Sequence, residues 1–184
     1  APFAMNTPGE SRIDNRNSQW KWIPLCRAGT GLILLQDNGT PTNASDDKVT
    51  YRSLWFDQQG KAVMPQFIYT IAQDRKDAIW VGTNEGLFII PSSVDFATSN
   101  LCERVIIPRN DGSQLGDYLL GNEQINCIVT DGVNRKWIGT ASSGVFLISA
   151  EKTLEGWDVE TVAHFTTANS LLPDNNVLSI AIQE

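Results

Sequence analysis

The chain has 184 residues, 41% of them hydrophobic, and 14 Lys and Arg against 21 Asp and Glu, for a formal net charge of -7. That apolar share supports a folded core and excludes a chain disordered by composition. The acidity argues against nucleic acid as a partner, and no apolar run reaches about 18 residues, so no transmembrane segment is expected in this chain.

Residues 1–12 carry Pro2, Pro8 and Gly9 without periodicity and read as a lead-in with neither an initiator Met nor a signal-peptide pattern. From Ile13 a weakened copy of a pattern appears: Trp22-Ile23, then Gly31-Leu-Ile-Leu-Leu35. Pro24 and Leu25 stand where later copies have Gly and Thr, and a proline cannot donate to a ladder, so this strand is expected to be short or at an edge. Residues 36–48 read as loop by composition, and 49–56 as a strand of β-branched and aromatic residues. The first full copy predicts strands at 67–72, 79–83, 87–90 and 103–107, followed by a turn at Asn110-Asp-Gly112. The second predicts strands at 125–129, 136–139, 145–149 and 160–165. Leu172-Pro-Asp-Asn-Asn-Val-Leu-Ser-Ile180 opens a further copy. No stretch shows a 3.6-residue apolar period, so almost no helix is expected.

The two full copies align from Asp to Thr, after which the second has one residue more before its hairpin Gly. Asp74 precedes Trp80-Val-Gly82-Thr83, and Asp131 precedes Trp137-Ile-Gly139-Thr140, with Gly86 and Gly144 opening the next apolar run. The two Trp lie 57 residues apart, which marks a repeat protein. Within a strand alternate side chains point to opposite faces. Ile79, Val81 and Thr83 therefore share one face, Trp80 and Gly82 the other, and both faces carry apolar bulk. A strand buried on both sides, with a large residue next to a side-chain-free one, fits four-stranded sheets stacked radially. The expected fold is all-β: a partial β-propeller of about three blades of four antiparallel strands. The expected division is 1–12 lead-in, 13–62 degenerate first blade, 63–117 second, 118–171 third, and 172–184 the first strand of a further blade.

Asp74 and Asp131 are expected to fix turns by accepting backbone N–H bonds. The rival is a cation site of Asp74 with Asp77 or Asp131 with Asn134, but neither loop has the oxygen spacing of a calcium loop. Gly86 and Gly144 are expected at hairpins with positive φ. Cys26, Cys102 and Cys127 are odd in number and irregularly spaced, against a disulfide framework or a zinc site. Cys127 reads as a small buried hydrophobe, and one Cys102 bridge, to Cys26, stays open. His164, the single histidine, reads as a partly buried structural residue.

The Asp131, Trp137-Ile-Gly-Thr140, Gly144 pattern, its counterpart at 74–87, and the Leu172-Pro173 entry resemble the two-component regulator propeller repeat over roughly residues 20–184. Pro24-Leu25, and Gln183 where an Asp would stand, depart from it. The resemblance implies a periplasmic or cell-surface location in a Gram-negative bacterium. It implies one of two settings: the ectodomain of a hybrid two-component sensor that detects glycan fragments, or a propeller similar to the lipopolysaccharide-delivery component of type IX secretion. The segment from Tyr118 through Ile148 is closer to the second.

No nucleophile elbow, phosphate loop or His-Glu-x-x-His motif is present, and no cofactor or metal is expected. The expected function is a noncatalytic module that binds a glycan, a lipopolysaccharide or a protein partner. Trp20, Trp55, Tyr118 and Trp157 are candidate contacts, their alternative role being to cover a blade edge. The rival function is a polysaccharide lyase or hydrolase using the loop carboxylates Asp111, Asp117 and Glu123. Asn38-Gly-Thr40 and Asn43-Ala-Ser45 match glycosylation sequons but read as turns. Self-association through exposed blade edges is a further expectation.

Overall fold

The computed structural model describes residues 11–26, 30–109, 116–154 and 156–183. The first meander is β1 (Arg12–Ile13), β2 (Trp20–Leu25), β3 (Gly31–Gln36) and β4 (Lys48–Arg52), each strand antiparallel to the next. A small hairpin follows, β5 (Trp55–Phe56) with β6 (Ala62–Val63). The second meander is β7 (Ile68–Gln73), β8 (Ile79–Thr83) and β9 (Gly86–Ile90). After a second hairpin, β10 (Ile106–Pro108) with β11 (Gly116–Tyr118), comes the third meander. It contains β12 (Ile125–Thr130), β13 (Lys136–Thr140), β14 (Val145–Lys152) and β15 (Trp157–Phe165). Among the described residues there is no helix. The fold is all-β and propeller-like, with each meander a blade.

Hydrophobic burial explains the stacking. Every residue of β8 and β9 is buried. Ile79 and Val81 of β8 join Trp22, Leu32 and Leu34 in one core against the first blade. Trp80 joins Ile125, Ile128 and Ile138 in a second core against the third. The alternating faces of one strand thus hold three sheets together. Gly82 is needed there: a Cβ would stand 2.7 Å from Ile125 Cγ2 and 2.6 Å from Thr70 Cγ2, so any side chain would push the third blade away. Gly86 and Gly144 turn the hairpins with φ of 87° and 78°.

Several strands differ from expectation. β2 is neither short nor at an edge; the shortened ladder is β1–β2, which ends opposite Trp22, so β1 stops before Pro24 is reached. The strand expected at 49–56 breaks after Arg52, because Trp55 and Phe56 leave to pair with Ala62 and Val63. The fourth strand of the second blade shrinks to one bridge, in which Glu103 and Ile89 exchange two backbone bonds of 2.8 Å. The amide of neighbouring Cys102 donates instead to Phe56 O, and Ile106 turns away to pair with Tyr118. Residues 172–183 form no ladder, since no neighbouring strand of their own sheet lies beside them among the described residues. They dock edge-on: Val177 N donates to Thr140 O and Gly144 N to Asn175 O, both at 2.9 Å. The Asn110-Asp-Gly112 turn lies outside the described residues.

Candidate functional site

The repeat residues brace both ends of a middle strand, an Asp turn before β8 and β13 and a Thr–Gly hairpin after them. Asp74 Oδ1 accepts the amides of Lys76 and Ala78, closing the β7–β8 turn, and its Oδ2 accepts Trp80 Nε1 at 3.1 Å. Asp131 does the same with Val133, Arg135 and, at 3.4 Å, Trp137. Asp77 and Asn134, considered above as cation ligands, are the left-handed residues of these turns, with φ of 62° and 68°. Asn134 Oδ1 accepts the amide of Arg75, which links the second turn to the third. Thr83 and Thr140 are buried and donate to Gly86 O and Gly144 O across the hairpins. The device also exists in the first blade, where the sequence reading missed it: Trp22 Nε1 donates to buried Asp14 at 2.9 Å. The spacing is eight residues there and six elsewhere, which hid the match.

Each carboxylate holds one cation, drawn from different places. Asp14 takes Arg16 and Asp131 takes Arg135, each from its own turn. Burial raises the pKa of both carboxyls, but these cations and the surrounding N–H donors outweigh it and hold both below the usual range. Asp74 instead takes Lys136 from the next blade, at 3.2 Å. Lys136 is fully buried, donates to Asn134 O at 2.9 Å, and stands 4.8 Å from the centre of the Trp80 ring. Burial depresses its pKa, against the pull of Asp74.

A different chemistry appears on the outer side, between the β10–β11 hairpin and the long β14–β15 arm. A groove of about 860 Å³ is lined by Gln58, Arg104, Ile106, Lys152, Trp157 and Asp158, among others. The Trp157 indole N–H donates to Glu103 at 2.7 Å, and Lys152 donates to the same oxygen at 2.7 Å. The ring edge packs on Trp80, centroids 5.5 Å apart, which fixes its tilt. Arg104 lies 3.6 Å above the Tyr118 ring, and Gln58 clamps the Arg104 backbone with two bonds. Its buried Nε has no protein partner. The groove is therefore amphipathic, with an indole, two cations and the Asp158 carboxylate in its lining.

Comparison with known proteins agrees with this geometry. The family model described as "Two component regulator propeller" matches residues 63–85, from the end of β6 through the Trp80 motif. A solved structure of PorZ is similar over 96% of this chain, with a TM-score of 0.80 and 27% sequence identity. That protein is described as an essential bacterial surface component of the type-IX secretion system of Porphyromonas gingivalis. The chain covers 23% of the PorZ chain. The curated proteins include no match.

Within this propeller framework the four candidate contacts separate. Trp55 is fully buried against Phe88, centroids 4.8 Å apart, so it is a core residue and not a ligand contact. Trp20 packs on the edge of the first core under Arg16. Tyr118 is covered by Arg104 and donates to Asp57 at 3.1 Å. Trp157 alone of the four lines the large groove. His164 stacks on Phe146 and is exposed, a surface placement where a partly buried one was expected. Of the carboxylates, Asp117 is paired with Arg109, which holds its pKa down. Glu123 is bonded to Ser142 and Ser143 at another hairpin, and Asp111 lies outside the described residues. A general acid requires a raised carboxyl pKa, the opposite of what Asp117 shows. None of the three cysteines is in a disulfide, so the Cys102–Cys26 bridge does not form. Among the described residues no group of three or more His, Cys, Asp or Glu could hold a metal ion, and no helix is long and apolar enough to cross a membrane.

Proposed function

We propose that this chain is the ligand- or partner-binding part of an exported bacterial surface or secretion-associated propeller protein, and that it makes contact through the Trp157 groove. The observation that carries the reading is the pinned indole: Glu103 accepts its N–H, Lys152 stands 5.6 Å from its ring centre, and Arg104 lines the same groove. A flat apolar ring flanked by cations suits a sugar bearing carboxylate or phosphate groups, as in an acidic glycan or a lipopolysaccharide. The similarity to PorZ supports a place at the cell surface and in secretion over one in sensing.

Titration with acidic oligosaccharides, neutral oligosaccharides and purified lipopolysaccharide, read by calorimetry, tests the assignment. Saturable binding of an acidic ligand is expected, weakened about tenfold, or roughly 1.4 kcal/mol, by Trp157→Ala or Arg104→Glu. Binding that these variants leave unchanged would move the site elsewhere, and turnover of the ligand would establish an enzyme instead.

A further inference from the structure

The two seams between blades carry the same indole and carboxylate, but different residues face them from the following blade. In the seam between the second and third blades, the Trp80 indole donates to Asp74 and packs edge-on against Trp157. Lys136, the residue before Trp137, reaches across to Asp74 Oδ2 and lies over the Trp80 ring. In the seam between the first and second blades, Trp22 donates to Asp14 and meets Phe96 edge-on, ring centres 4.9 Å apart and planes at 74°. The residue before Trp80 is Ile79, so a short apolar side chain holds the register position of the lysine. Ile79 pairs with Ile90 as Lys136 pairs with Ile148, which fixes the equivalence.

A cavity of about 240 Å³ lies at this position and shares no lining residue with the Trp157 groove. At about 30 Å³ per water it equals roughly eight waters, room for one small organic molecule. Trp22, Ile79 and Phe96 are buried and form its floor, and Trp20, Asp77 and Asp95 stand on its more exposed side.

These walls favour a cation. Aromatic faces attract positive charge through their quadrupoles. Arg16 lies over Trp20 and Arg52 over Phe96, at 5.7 and 5.5 Å from the ring centres. Among the described residues no cation is placed over Trp22, whose counterpart Trp80 has Lys136. Arg16 also lines the cavity, but both oxygens of Asp14 hold its guanidinium, at 3.0 and 2.8 Å. That pair is close to neutral, which leaves Asp77 and Asp95 as the net charge of the lining. Asp95 commits its oxygens to Ala97 N and Thr98 Oγ1. The Asp77 carboxylate accepts from Gln73 Nε2 at 3.3 Å, a long bond that leaves it the better placed to take a further donor. Lys136 shows what the other seam holds: an ammonium on an alkyl stem, over an indole and beside a carboxylate.

We propose that the cavity between the first and second blades binds a small organic cation, an alkylammonium whose stem lies against Trp22 and Ile79 and whose head meets Asp77. The site is separate from the groove assigned to acidic ligands and does not rest on that assignment.

Titration of the full chain with n-butylammonium, read by the NMR signals of the indole N–H groups, tests this, with n-butanol as the neutral control. Saturable shifts of the Trp20 and Trp22 signals are expected with butylammonium and none at equal concentrations of butanol. Asp77→Asn is expected to weaken binding about tenfold, the loss of one hydrogen bond to a charged group. Asn stands at the equivalent turn position 134, also with positive φ, so the turn is kept. Ile79→Lys places the chain's own ammonium in the cavity and is expected to abolish binding, with circular dichroism verifying the fold. If that variant does not fold, Asp77→Asn carries the test. Equal binding of butanol, no saturation with butylammonium, or binding unchanged in Asp77→Asn would each overturn the proposal, as would undiminished binding in a folded Ile79→Lys.

Discussion

The second and third blades carry the same Asp–Trp turn in different surroundings. Trp80 is 0% exposed, lies under Lys136 and meets the edge of Trp157, both contributed by the following blade. Trp137 is half-buried, stacked on Phe165 of its own blade at 5.8 Å, and faces residues 180–182. The indole–carboxylate bond survives in both, at 3.1 and 3.4 Å. The turn is therefore a local device. The burial, and with it most of the stabilisation, comes from the neighbour.

Substitutions at the two tryptophans and at Lys136 sharpen this contrast, and urea unfolding of the full chain reads them. Trp80→Ala is expected to cost about 4 kcal/mol, the range for emptying a tightly packed aromatic site. Trp137→Ala should cost about half of that, since its ring is already partly in water. Equal losses would show that the turn, and not the neighbouring blade, sets the cost. Next comes Lys136→Ile, which leaves Asp74 without a cation at a cost of about 3 kcal/mol. Adding Lys76→Arg copies the Asp14–Arg16 arrangement of the first blade and should restore part of it. No recovery in the double variant would mean that the two arrangements are not interchangeable.

The smallest effect is on acid stability. Asp14 and Asp131 have pKa values below those of the unfolded chain, so their contribution is fully present above the unfolded value of about 3.9. It is lost as the pH falls below that value through the folded ones. Thermal unfolding followed from neutral to acidic pH should show this decline, and Asp14→Asn should flatten it. An unchanged slope in that variant would remove Asp14 from the account.

The repeat could be read because its chemistry is local. Parity in β8 separated Ile79 and Val81 from Trp80 and Gly82, and the structure sends those pairs to different cores. What escaped the sequence depends on contacts between distant segments. Lys136 carries no repeat signature of its own, yet it meets Asp74 across a seam. Trp55 looked like an outlying aromatic, yet Phe88 and the first core enclose it. The groove needs Glu103, Lys152 and Trp157 together, and only folding brings Glu103 to the other two. Asp14 was lost to a two-residue lengthening of its loop, a local change that defeats a fixed-spacing search.

The burial that holds the blades together also silences sulfur. Cys102, deep in the first core, has its thiol pushed up to about 12, and the Cys127 thiol, beside Gly139, is raised by burial as well. At neutral pH the reactive thiolate of Cys102 is rarer than about one in ten thousand. The folded chain thus carries reducing equivalents it does not spend. Alkylation of these two sulfurs becomes a clock for the opening of the sheets that cover them.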